Sequence, residues 1–243
     1  MRSSVQWLPC WCSGADVLMV VVMLALPVAT ARANDRPFQI ARTAVMEDDE
    51  QVWSFESWAE RRGTLRGLSV EPEYTFSGGT SLQLQLSRYV DRNAVLTGNE
   101  TELEFKHIFN HIGRNGWGLG LSGALGLERS PGEASVRTYS LKLPLSITLG
   151  EGYATLHLGP GLSKSSGTRR TWTGAVAIER EVFKRTTAFA ELAHEGTLRL
   201  AQIGARHWLR RDKLAFDIAW QQQQRSGEAR SAGLTLGLGW YDL

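Results

Sequence analysis

From residue 66 onward the hydrophobic residues fall on alternate positions. Leu68, Val70, Pro72, Tyr74 and Phe76 interleave with Ser69, Glu71, Glu73 and Thr75, and Leu82, Leu84 and Leu86 with Gln83, Gln85 and Ser87. Leu103 and Phe105 sit between Glu102, Glu104 and Lys106, and Tyr139, Leu141, Leu143, Leu145, Ile147 and Leu149 between Ser140, Lys142, Ser146 and Thr148. The same rhythm runs through Trp117–Leu127, around His157, and through Trp172–Ile178, Leu214–Trp220 and Leu234–Trp240. Side chains of a strand point alternately to its two faces, so a period of two marks strands with one apolar face. The pattern predicts an all-β chain with strands near 51–58, 66–76, 80–90, 101–110, 116–128, 137–149, 153–162, 171–182, 186–194, 197–208, 213–223 and 232–241. Twelve strands is the favoured count, with ten as the alternative.

The connections sort these strands. Residues 77–80 and 150–152 are tight and glycine-rich, whereas 91–100, 129–136, 163–170 and 224–231 are longer and polar. Long connections follow odd-numbered strands, apart from the first and fifth, and short ones follow even-numbered strands. That asymmetry predicts an antiparallel up-and-down barrel of the outer-membrane kind, with long loops outside and both termini in the periplasm. Aromatics gather near strand ends (Tyr74, Phe76, Trp117, Tyr139, Trp172, Trp220, Trp240), as in interfacial girdles. A secreted soluble β-sandwich or a lipocalin-like barrel would also alternate, but its outer faces would carry more charge. At the C-terminus Tyr241 is third from last and Leu243 stands where such barrels usually end in an aromatic. The leucines at 234, 236 and 238 have the opposite parity to Tyr241, which predicts a bulge near Trp240.

The N-terminus reads differently. Arg2, the apolar run Val17–Val28 and the small-x-small pattern Ala31-Arg32-Ala33 predict a cleaved signal peptide over 1–33. Residues 34–50 then form a flexible periplasmic segment or a short plug, with the acidic run Glu47–Glu50 solvated, and 51–243 the barrel. Both cysteines, Cys10 and Cys12, fall in the leader, so the barrel is held without disulfides.

Composition narrows the function. Among 243 residues, 27 basic side chains nearly balance 25 acidic ones and 42% are hydrophobic, which excludes a disordered chain and a basic nucleic-acid-binding domain. After the leader no apolar run approaches the roughly 20 residues a spanning helix needs. With the leucines facing lipid, the opposite face carries Glu71, Glu73, Glu102, Glu104, Lys106, Lys142, His157, Glu179, Glu191, Arg206 and Asp217. These lumen candidates form a shape-fixing web of ion pairs, or, in Glu71, Glu73, Glu102 and Glu104, an acidic wall that favours cations or amines. Catalytic signatures are missing. His107 and His111 would stand too far apart on a strand for a zinc pair, His157, His194 and His207 have no G-x-S-x-G or H-E-x-x-H context, and no lipid A deacylase-type run occurs. Gly118-Leu119-Gly120 and Gly237-Leu238-Gly239 lie inside strands and are not nucleotide loops. The reading is a pore or small-molecule uptake channel without cofactor or metal. Its partners are outer-membrane lipid, the barrel-assembly machinery and a small-molecule or cation permeant. A structural or interaction barrel with a filled lumen is the alternative.

Ala190-Glu191-Leu192, Gly204-Ala205-Arg206-His207-Trp208-Leu209, Arg211-Asp212-Lys213-Leu214, Asp217 and Gly233-Leu234 resemble the proteobacterial phenol-degradation meta-pathway-like transporters. The resemblance begins at Ala190 and consists of short motifs. It implies a barrel and uptake of small, often hydrophobic compounds, and no catalytic residue.

Overall fold

The computed structural model describes residues 37–45, 51–91, 96–110, 112, 116–150 and 154–243. The signal-peptide expectation for 1–33 and the acidic run 47–50 lie outside the described residues. Fourteen strand segments follow in order: β1 (Val52–Arg62), β2 (Leu65–Phe76), β3 (Thr80–Asp91), β4 (Leu96–Asn110), β5 (Trp117–Arg129), β6 (Val136–Lys142), β7 (Leu145–Leu149), β8 (Ala154–Leu158), β9 (Gly161–Ser165), β10 (Thr171–Phe183), β11 (Thr186–Glu195), β12 (Leu198–Arg210), β13 (Leu214–Arg225) and β14 (Ser231–Trp240). Each pairs antiparallel with its neighbours in one sheet, and β1 pairs with β14 from Phe55 opposite Trp240 to Arg62 opposite Gly233. The sheet therefore closes on itself and has no edge.

Two of the staves are interrupted. β5 pairs with both β6 and β7, and β10 with both β8 and β9, so each couple is one stave broken at Leu143-Pro144 or Gly159-Pro160. Proline lacks the N–H a ladder needs, yet the breaks are bridged: Leu143 N–H donates to the Pro160 carbonyl at 2.9 Å and Gly120 N–H to that of Pro144 at 2.9 Å. The result is a closed barrel of 12 staves. Pro72 has a smaller effect, and the β2–β3 ladder merely skips Glu71 and Pro72.

Outward-facing residues are apolar around the whole circumference. Leu68, Leu84, Leu103, Leu125, Leu141, Val176, Ile218 and Leu236 all point away from the interior and are exposed, flanked by Trp53, Phe76, Trp117, Trp172 and Trp240. An apolar belt on this scale is stable only against lipid, so this is a membrane-spanning barrel. No helix of the described residues is long and apolar enough to cross a membrane, and the crossing is made by strands.

Three expectations need correction. β1 runs to Arg62 instead of ending at 58, because Ala59–Arg62 pair with Leu65–Leu68 despite their charges. The polar connection expected over 91–100 shrinks to 92–95, since Leu96–Glu100 continue β4 opposite Ser87–Asp91. Backbone pairing thus outlasts the apolar band in both places. No bulge occurs near Trp240, as register is unbroken through β14 on both sides. Trp240 keeps the outward parity of the leucines, and Tyr241 turns inward to donate its hydroxyl to the buried Glu56 carboxylate.

Candidate functional site

The inward face is polar, and it is crossed by the chain itself. Residues 37–45 lie inside the barrel, with Phe38, Ala41, Thr43 and Ala44 fully buried. The described portion of residues 34–50 is thus an internal strap. The strap touches β12 at one end and β4 at the other, staves that stand opposite each other in the closed sheet.

Main-chain groups of the strap are held by side chains of the wall. The N–H groups of Gln39, Ile40 and Ala41 all donate to the Glu191 carboxylate, at 2.7, 2.9 and 2.6 Å. Gln202 Nε2 donates to the Pro37 carbonyl at 2.7 Å, and Lys142 Nζ to that of Ile40 at 3.0 Å. Ala44 N–H donates to Ser146 Oγ at 2.8 Å. An irregular segment in a closed barrel has no ladder to join, so its buried amides and carbonyls need such partners.

Two strap side chains sit in sockets. Phe38 packs edge-on against Phe189 (centroids 5.8 Å apart) and at a tilt against His157 (5.3 Å), in a cluster with Ala175, Ala177, Ala193 and Ala219. Inward alanines on β10, β11 and β13 leave the room that ring occupies. Arg42 reaches Glu104 with two nitrogens, Nε at 2.8 Å from one carboxylate oxygen and Nη2 at 2.8 Å, and stands 3.8 Å from Glu102. Ser122 Oγ donates to the same Glu104 at 2.6 Å. Gly118 makes the close approach of β5 feasible: a Cβ there would stand 2.5 Å from the Ala44 carbonyl oxygen and 3.2 Å from its Cβ.

Of the lumen candidates, Glu71, Glu73, Glu104, Lys106, Lys142, His157, Glu179, Glu191, Arg206 and Asp217 are buried on the inward face, and the Glu102 side chain is 21% exposed. They divide into groups. Glu191, Lys142, Glu104 and Glu102 hold the strap. His157 Nδ1 accepts or donates a 2.8 Å bond with Ser146 Oγ, and its Nε2 faces Glu179 Oε1 at 3.4 Å without hydrogen-bond alignment. Arg206 pairs with both oxygens of Asp217 at 2.8 and 3.0 Å, stands 3.6 Å from Glu56, and lies over the Trp208 and Tyr241 rings. Glu71 accepts from Gln83 Nε2 at 3.2 Å. The acidic wall is therefore partly covered by the chain's own Arg42.

Sequence reasoning missed Phe38, Arg42, Ser146, Gln202, Glu56 and Tyr241. Parity along β1, β7 and β12 would have put Glu56, Ser146 and Gln202 on the inward list. The strap residues carry no periodic signal. His107 and His207 point outward, each bonded through Nδ1 to a cross-strand threonine, Thr80 at 2.8 Å and Thr186 at 2.9 Å. Among the described residues no group of three or more His, Cys, Asp or Glu could hold a metal ion.

A closed, lipid-facing barrel with a charged interior and an internal strap defines the class: a transmembrane β-barrel of the outer-membrane type. Among solved structures, the chain resembles the KdgM porin in complex with disordered oligogalacturonate (TM-score 0.57, 14% identity, 77% of this chain and 98% of that one). It resembles the NanC porin equally in shape (TM-score 0.56, 6% identity, 77% and 98%). The β domain of the Bordetella autotransporter BrkA superposes less closely (TM-score 0.51, 9% identity, 79% and 98%). Porins and an autotransporter domain share the architecture, so the likeness establishes fold. No protein-family model and no curated protein matches the chain.

Proposed function

We propose that this chain is an outer-membrane pore for the uptake of small molecules, held shut at rest by residues 37–45. The observation that carries the reading is how the strap is attached. It crosses the lumen as a single segment joined to a polar wall by hydrogen bonds and two side-chain sockets, contacts that water and a solute can replace, whereas barrels of about eight strands fill the interior with wall side chains alone. The porin neighbours, one of them described with an oligogalacturonate, support uptake of solutes of that size. We assign the chain no catalytic step. Placement in the outer membrane, delivery by the leader over 1–33 and insertion by the barrel-assembly machinery belong to the same proposal. So does kinship with the phenol-degradation meta-pathway-like transporters, whose shared residues Glu191, Arg206 and Asp217 all face inward here.

Full burial of Phe38, Ala41, Thr43 and Ala44 favours the second reading, a structural barrel with a filled lumen. Planar-bilayer recording separates the two. The wild-type chain is expected to stay mostly closed, and Arg42→Ala to open in steps with a preference for cations, because Glu102 and Glu104 then face the path. Silence from Arg42→Ala and Glu191→Ala alike, in barrels that still migrate as folded on unboiled gels, would establish the filled barrel.

A further inference from the structure

The wall around the strap has the attributes of a peptide receptor. Glu191, Gln202, Lys142 and Ser146 hydrogen-bond to main-chain atoms of residues 37–44, satisfying four N–H groups and two carbonyls. Contacts of this kind recognise the path of the main chain, here bent at Gln39 and Ile40 so that three successive N–H groups converge on Glu191. Sequence enters at two places, the aromatic pocket that takes Phe38 and the carboxylates that take Arg42, four residues apart. A barrel without edges cannot bind a peptide by adding a strand, and the strap is instead held by wall side chains.

We propose that this lumenal surface is a binding site for short peptides that bend as residues 38–41 do and bear an aromatic residue and, four positions later, a basic one, and that residues 37–45 are its resident occupant. The site deepens the uptake reading, on which it rests for physiological meaning, by naming peptides as the permeant class. Tethering explains why the native chain would look inert to such ligands. A strap joined to β1 by a few residues competes at an effective concentration on the order of millimolar, so a micromolar peptide cannot displace it. Weakening the strap's own anchors, while leaving the wall intact, should expose the site.

The test uses the full-length chain folded in detergent, with Phe38→Ala and Arg42→Ala together. A fluorescein-labelled peptide of the sequence of residues 37–45 is titrated and its polarisation read. Expected are saturable binding to the double variant and binding at least about tenfold weaker to wild type, whose tethered strap competes. A further drop of about tenfold or more is expected on adding Glu191→Gln, which removes the charged acceptor of three N–H groups. A peptide with alanine at both anchor positions should not bind. If the double variant does not give the fast-migrating unboiled band, Arg42→Ala alone carries the same titration, since that side chain is 12% exposed. A folded variant with no saturable binding would overturn the proposal, as would equal binding of a scrambled peptide. Binding without conductance in bilayers would retire the pore reading and leave the peptide site standing. Conductance without binding would do the reverse.

Discussion

At the scale of single residues, the interior depends on pairings that are hard to lose one member at a time. Arg206 is 2% exposed and its fork is filled by Asp217. Removing one partner of a buried pair typically costs about 3–5 kcal/mol. Glu56, 3.6 Å away, remains as a partial substitute, so Asp217→Ala should lose about 3 kcal/mol, near the lower end of that range. Tyr241→Phe deletes only the hydroxyl that donates to Glu56 and should lose about 1 kcal/mol. Urea titration of barrels folded in vesicles measures both, and a larger loss for Tyr241→Phe would contradict the assignment of Asp217 as the principal partner. Ser146, His157 and Glu179 resemble a nucleophile, a base and an acid in order, but their surroundings point elsewhere. The Ser146 hydroxyl has no solvent exposure, takes the Ala44 N–H, and lies beside a histidine covered by Phe38. Acyl transfer requires a reacting carbon within reach of that oxygen. A fluorophosphonate probe should therefore leave Ser146 unlabelled in the wild-type chain, as read by mass spectrometry of the peptide containing it.

Among the elements, local side-chain volume decides whether the strap docks. A Cβ at Gly118 would stand 2.5 Å from the Ala44 carbonyl oxygen and 3.0 Å from that of Asn110 on β4, so Gly118→Val presses hardest on the strap and asks only a small adjustment of the wall, where β5 gains a residue suited to strands. The barrel should fold as before and the strap end should be expelled. An Ala44→Cys reporter in a background with Cys10 and Cys12 changed to serine should react with a maleimide at least about tenfold faster when Gly118→Val is present, because the strap position passes from buried to solvated. The strands were legible because each stave places a hydrophobic residue outward at every second position, and lipid enforces that rule more strictly than water does. Their ends were less legible. Glu60, Arg61 and Arg62 look like a turn, and so does the polar stretch Leu96–Glu100, yet both lie above the apolar band where polar side chains do not interrupt pairing. Which wall residues cooperate was also invisible from one segment at a time. Ser146 faces His157 only because β7 and β8 adopt that register, and Glu191 meets Ile40 across a separation of 151 residues. For the strap a short plug is one of two readings, but where it docks was not legible, since much of the docking is by main-chain groups and its side-chain anchors Phe38 and Arg42 show no periodicity.

For the whole molecule, the two faces of the sheet have opposite tolerances. Leu125 sits mid-stave on β5 and is 57% exposed to the lipid side. Leu125→Arg there should destabilise the folded barrel by about 2–4 kcal/mol, the cost of an arginine near the bilayer midplane. The neighbouring inward position, Ala124→Ser, should change stability little, and chemical unfolding from vesicles distinguishes them. Equal losses at the two positions would mean that the belt does not face lipid.

The seam between β1 and β14 brings together residues as distant as Glu56 and Tyr241, 185 positions apart. Since the strap precedes β1 in the chain, its lodging in the interior and the zipping of that seam would be coupled during assembly. A strap that had gripped Glu191 and Glu104 before closure would hold the chain leading into β1 inside the curling sheet and, by limiting how far β1 strays from β14, would lower the entropic cost of closing the barrel. The segment that obstructs the finished molecule would thus serve, during assembly, as the mandrel on which the cylinder is rolled.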